Sequence, residues 1–109
     1  MIKIKIPTTV SLAKKAGKIV HGEANVKEAI RAGNASIVII ASDTGANTLK
    51  SITDSCAYYN VTYHLAGTKE ELGHSIGKSF CAAIAVCDDG FAKSIEKSFA
   101  ANINGGEVL

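Results

Sequence analysis

Behind Pro7 and the cap pair Thr8-Thr9, the positions Val10, Ala13 and Gly17 recur at helical spacing and predict a first helix that Gly17 ends. Its other face gathers Ser11, Lys14, Lys15 and Lys18. "KIVHG" then reads as a short extended link. A second helix, between Gly22 and Gly33, buries Val26, Ala29 and Ile30 and exposes Ala24, Asn25, Glu28 and Arg31. "SIVIIA" is β-branched and apolar throughout, the pattern of a central strand covered on both faces. After Asp43-Thr44-Gly45 a third helix turns Leu49, Ile52, Cys56 and Tyr59 inward. "VTYHLAG" alternates Val61, Tyr63 and Leu65 with Thr62, His64 and Ala66, which suits a strand nearer the sheet edge. Thr68 and Glu71 have capping-box spacing and open a fourth helix that ends around Gly77. "FCAAIAVC" is a second buried strand, and Phe91, Ile95 and Phe99 mark a last amphipathic helix.

Helices alternating with strands predict an α/β fold, a three-layer α/β/α sandwich on a small mixed, mostly parallel sheet. The 109 residues suffice for a single domain. Its core is expected over about residues 8–100, with 101–109 as a frayed tail, because "NINGGEVL" has no core-forming pattern. Ile2, Ile4 and Ile6 alternate with lysines, and this stretch reads equally as an edge strand or as an arm.

Composition narrows the class. Hydrophobic residues make up 47% and charged residues 20%, the balance of a globular protein. No apolar run approaches the roughly 20 residues of a spanning helix, and the first residues lack the apolar stretch of a secretory signal. The cytoplasm is the expected location, with no membrane partner. Cys81 and Cys87 lie six residues apart in one strand, roughly 20 Å, too far to bridge each other. There is no CxxC, and His21, His64 and His74 are scattered singly, so neither a disulfide nor a metal site is expected. Ser75 beside His74 is no nucleophile–base pair, because helix neighbours point about 100° apart. Glu70-Glu71 and Asp88-Asp89 fall at helix starts, where the macrodipole accounts for them. Neither a dinucleotide fingerprint nor a P-loop occurs. Catalysis, a cofactor and a small-molecule substrate are all unexpected.

Charge is distributed unevenly. Residues 1–31 hold seven basic side chains against two acidic, and the remainder holds five against eight. Either the N-terminal part simply has a basic solvated face, or an anionic partner approaches from that side. Gly22 bears on the choice. It opens the second helix, where backbone N–H groups and the positive dipole end suit a phosphate, with Lys18 and His21 just before it. The plainer reading of Gly22 is a tight turn, and the residues alone divide evenly between the two.

"LAKKAGKIVHGEANVKEAIRAGNASIVIIASD", "TLKSITDSCAYYNV", "TKEELGHSIGKS" and "AAIAVCDDGFAKSI" together resemble the bacterial YlxQ-type members of the ribosomal kink-turn-binding protein family. That family includes large-subunit ribosomal proteins of archaea and eukaryotes and a small nucleolar and spliceosomal RNA binder. The resemblance runs from about Leu12 to Phe99. It implies one α/β/α domain, no catalysis, and recognition of folded RNA that contains tandem sheared G·A pairs. The family's reading stretch, G-x-N-E-x-x-K, falls on Gly22, Ala24, Asn25 and Glu28, and only its glycine is kept. Asn25 can still meet a base edge, whereas Glu28 puts a negative charge where the family puts a positive one. The family's second contact falls on Lys78, Ser79, Phe80, Cys81 and Ala82. Lys78 suits a phosphate. Phe80 suits a splayed base, or else it is the first residue of a core strand. Leu49 falls where the family sets an apolar residue against a flipped nucleotide, although it also belongs to the core stripe of helix three.

The expectation is therefore a non-catalytic, ribosome- or ribonucleoprotein-associated protein that recognises structured, kink-turn-like RNA with a degenerate reading motif. Lys14, Lys15, Lys18, His21, Gly22, Asn25, Glu28, Arg31, Lys78, Ser79 and Phe80 would contribute to its RNA face. The alternative is a protein–protein interaction module on the same fold that has lost kink-turn recognition.

Overall fold

Two short strands, β2 (Ile37–Ile40) and β4 (Ala83–Val86), are buried at every position and form the centre of a four-stranded sheet. The computed structural model describes residues 4–108, the side chains only as far as residue 101. The sheet order is β1 (Ile19–His21), β4, β2, β3 (Tyr63–Leu65). Alternate residues of the two central strands serve different layers, as the pleat requires. Ile37, Ile39, Ile84 and Val86 pack with Val10 and Ala13 of α1 (Thr9–Lys15), Leu72 of α4 (Lys69–Ser75), and Ile95 and Phe99 of α5 (Asp89–Val108). Val38, Ile40, Ala83 and Ala85 pack with Val26, Ala29 and Ile30 of α2 (Glu23–Arg31) and Ile52 and Cys56 of α3 (Ala46–Tyr59). Each fully buried Ile or Phe stabilises the sandwich by about 1.5–3 kcal/mol relative to exposure.

The sheet is mostly antiparallel, which corrects the expected mostly parallel arrangement. β4 runs antiparallel to both β1 and β2, and only β2 and β3 are parallel neighbours. Two features were hidden in the sequence pattern. "KIVHG" is not a link, because Ile19–His21 pairs with β4 as an outer strand. Nor does α4 cross the sheet as a βαβ helix does. Ala41 and Ser42, just past β2, donate to Ala82 O and Gly67 O, so the chain leaves β3 and enters β4 at one end. Cys81 N–H donates to Lys69 O, which returns residues 76–82 to the start of α4. That return reverses β4.

The edge strand β3 also faces otherwise than its alternation suggested. Tyr63 and Leu65 are exposed, as is Tyr59 on α3. His64 turns toward α5, stacking on Phe99 with ring centroids 4.4 Å apart and bonding Glu96. Among the described residues, neither Tyr63 nor Leu65 joins either buried core. Of the N-terminal isoleucines, Ile4 accepts from Gly67 N–H, and Ile4 and Ile6 pack on the α1/α5 core; Ile2 lies outside the described residues. The helical backbone of α5 reaches Val108, within the stretch expected as a tail, whose side chains from 102 onward lie outside the described residues.

The cysteines are free, with Cys56 and Cys81 buried and Cys87 half-buried. Burial pushes the Cys56 thiol from its ordinary value near 9 up to about 11. The unfolded chain therefore ionises first as pH rises, and stability is lost progressively between about 9 and about 11. Denaturant midpoints measured across that interval should fall with pH, and Cys56→Ala should flatten the fall. An equal slope in the variant would place the titrating group elsewhere.

Candidate nucleic-acid interface

β1 and β2 both oppose β4, and β3 is parallel to β2, so β1, β2 and β3 end at the same end of the sheet. There α2, α3 and α4 all begin, beside the return loop 76–82. The three helix starts differ. That of α4 is closed by a capping box between Thr68 and Glu71, and Asp43 Oδ1 accepts from Lys69 N–H. Those of α2 and α3, after Gly22 and Gly45, have no side-chain cap. Two bonds hold these helices together: Thr48 Oγ1 donates to Glu23 Oε1 at 3.0 Å, and Lys27 Nζ donates to Ser51 Oγ at 2.7 Å. Two uncapped N-termini therefore adjoin, each with unclaimed N–H groups and a positive dipole end, a favourable environment for anions.

Gly22 has φ +92° and ψ 149°, a conformation essentially confined to glycine. The turn alone thus requires this residue. Its N–H is used internally, donating to Ala83 O at 3.1 Å, so the available groups are those of Glu23, Ala24 and Asn25. This bond joins the mouth of α2 to the start of β4, directly after the return loop. Cys81 lies beneath the junction and donates its thiol to Ala83 O at 3.1 Å. Burial raises its pKa, opposed in part by the backbone of Ala83 and Gly22. Above it, Lys78 and Ser79 are exposed, and Phe80 leaves 68% of its surface accessible. Phe80 is not a core residue, since β4 begins three residues later. Its backbone is pressed against Gly73, where an added Cβ would stand 2.8 Å from Phe80 N and Cα.

The remaining anticipated residues divide. His21 ends β1 at the mouth, and Asn25 Nδ2 donates to its carbonyl at 3.1 Å, which occupies that side chain locally. Glu28 lies on the outer side of α2, paired with Arg31, and both are exposed. The bond to Glu28 raises the Arg31 pKa. Arg31 is the last residue of α2, about 12 Å along the axis from its start. Leu49 packs on the α2/α3 core. Lys14, Lys15 and Lys18 do not join the mouth: Lys18 O accepts from Cys87 N–H at 2.7 Å, beyond the far end of β4. The sequence placed the start of α3 after Asp43-Thr44-Gly45 but did not bring Thr44, Gly45 and the exposed Asn47 into the candidate site. Recognising "IVH" as a strand parallel to β2 would have placed both helix starts together.

Residues 4–96 match the model of the Ribosomal protein L7Ae/L30e/S12e/Gadd45 family, a span that takes in the sheet, the mouth and the return loop. The chain belongs to that family. Within the L7Ae/L30e family it is 42% identical over 84 residues to RNA-binding protein YlxQ of Bacillus subtilis (strain 168), covering 77% of this chain and 84% of that protein. It is 35% identical over 94 residues to large ribosomal subunit protein eL30 of Methanosarcina mazei, covering 83% and 87%. Among solved structures, a protein with unknown function from Bacillus halodurans C superposes with a TM-score of 0.82 at 31% identity, over 85% of this chain and 94% of that one. The Giardia lamblia 15.5kD RNA binding protein shares the fold, with a TM-score of 0.72 at 20% identity over 89% and 83%. Among the described residues no helix is long and apolar enough to cross a membrane, and no group of three or more His, Cys, Asp or Glu could hold a metal.

Proposed function

We propose that this L7Ae/L30e-family protein is a non-catalytic RNA-binding protein of the cytoplasm, associated with the ribosome or another ribonucleoprotein. It recognises structured, kink-turn-like RNA at the end of the sheet where α2 and α3 begin. One observation carries the reading. The bond from Gly22 to Ala83 holds the uncapped start of α2 against the start of β4, where the loop presenting Lys78, Ser79 and an exposed Phe80 ends, and the Thr48–Glu23 bond sets the uncapped start of α3 alongside. Backbone N–H groups and Lys78 suit phosphates, and Phe80 offers a ring to an unpaired base. The RNA-binding relatives agree with this chemistry. Glu28 favours the rival reading, a protein-interaction module, because its carboxylate is exposed on α2 just beyond the mouth.

Phe80→Ala separates the two. Base–aromatic stacking is worth about 1–3 kcal/mol in single-strand binders. At the lower end of that range the variant should bind a kink-turn RNA about tenfold more weakly, read by fluorescence anisotropy. Its unfolding midpoint should barely change, because the ring is exposed. Unchanged RNA affinity would remove the loop from the interface and favour the protein-interaction module.

A further inference from the structure

Lys14, Lys15 and Lys18 form a second cationic site, one strand-length from the mouth. Gly17 N–H donates to Lys14 O and Lys18 N–H to Ala13 O, so the three side chains leave from a single turn of backbone. Lys15 and Lys18 are exposed and Lys14 is half-buried. Among the described residues none of the three forms an ion pair. The acids of α2 are engaged elsewhere: Glu23 at the mouth accepts from Thr48, and Glu28 is paired with Arg31. At the same end of the sheet as the lysines, Asp88 Oδ2 accepts from Phe91 N–H at 2.9 Å, and Asp89 Oδ1 accepts from the Ser36 hydroxyl at 2.6 Å. Both aspartates sit at the positive end of α5, which offsets their charge. The helix C-terminus can account for Lys14 and Lys15 in its last turn, but Lys18 lies beyond it.

The cluster and the mouth share one edge. β1 is an outer strand, and its three residues, four steps of extended chain or about 13 Å, separate Lys18 from Gly22. Along that edge the Asn25 amide covers the outward carbonyl of His21, which discourages addition of another strand. What fits an open, non-pairing edge with cations at one end and anion-binding helix starts at the other is an extended polyanion. We propose that Lys14, Lys15 and Lys18 hold the phosphate backbone of a duplex arm that leaves the mouth and runs along the β1 edge. The protein then grips one structured RNA at two places, an inference that rests on the RNA-binding reading of the mouth. Phosphate contacts position an RNA without reading its sequence, so any base-paired arm of sufficient length serves.

The test uses the full chain and three labelled kink-turn RNAs: a core with both helices trimmed, and two with one or the other helix lengthened by a further turn. Wild-type protein should bind one lengthened RNA more tightly than the core. The variant with Lys14, Lys15 and Lys18 all changed to Ala should bind the core within about twofold of wild type. It should bind the lengthened RNA about tenfold more weakly, with a log affinity against log salt slope shallower by about two, from roughly 0.7 to 0.9 per lost phosphate contact. Changing the three to Arg should restore both, whatever the sequence of the arm. Equal losses on core and lengthened RNA would place the lysines at the mouth and overturn the proposal. So would no loss on either, or no gain from lengthening either helix. Failure of the wild type to bind even the core is a different result: it would overturn the RNA reading, and this proposal with it.

Discussion

Gly73→Ala should destabilise the protein by about 1–3 kcal/mol, the usual cost of forcing extra volume into a packed site. Helix propensity alone gives the opposite sign, because Gly in a helix interior is about 1 kcal/mol worse than Ala. The contact decides. The new methyl would stand 2.8 Å from Phe80 N and Cα and 2.9 Å from Phe80 C, and these are backbone atoms that cannot rotate aside. Moving them displaces residues 78–82, which are anchored through Lys78 N–H to Gly73 O and Cys81 N–H to Lys69 O. Phe80 and Lys78 move with that segment, so RNA affinity should fall together with stability, by more than Phe80→Ala alone lowers it. Chemical denaturation and RNA titration of the one variant check both parts. A stabilised protein would mean that α4 and the return loop are not in contact as described.

The reading motif should respond in the other direction. Glu28 is exposed on α2, paired with Arg31, and puts a carboxylate at the position where the L7Ae/L30e resemblance places a lysine. Arg31 offsets it by only a few tenths of a kcal/mol, the worth of an exposed pair at this spacing. A good base contact discriminates by about 1–3 kcal/mol in the DNA case. Wild-type protein should therefore bind a simple consensus kink-turn weakly. Glu28→Lys should bind it at least about tenfold tighter, roughly 1.4 kcal/mol. Adding Ala24→Asn and Asn25→Glu should make binding depend on the G·A pairs, because Asn25 now spends its amide on His21 O. The comparison is a kink-turn against the same RNA with Watson–Crick pairs in place of the G·A pairs. Nanomolar, G·A-dependent binding by wild type would show that Glu28 does not face the RNA. No gain in the triple variant would mean that this helix mouth no longer reads kink-turns.

Much of the architecture was legible before any coordinates, because local patterns carried it. The 3.6-residue stripes of α2 and α5, the uniformly apolar runs of β2 and β4, and the Thr68–Glu71 capping box each depend on neighbours a few residues away. The glycine at position 22 and the polar composition of the mouth were legible for the same reason. Strand direction was not. A strand covered on both faces is apolar throughout whether its neighbours run with it or against it. The direction of β4 depends on where residues 76–82 return, a matter of bonds between Cys81 and Lys69 and between Ala41 and Ala82. β1 escaped notice because three residues are too few to show a period, and its partner lies 63 or more positions away. The exposure of Phe80 depended on a close approach to Gly73 that no spacing announces. By itself the sequence determined the layers, the core stripes and the chemistry available at the mouth. Only the tertiary structure decided which residues share an end of the sheet, setting the starts of α2 and α3 beside the return loop and leaving three lysines at the far end of β1. Side-chain periodicity is a local property, whereas the course of the chain between strands is settled by long-range hydrogen bonds and packing.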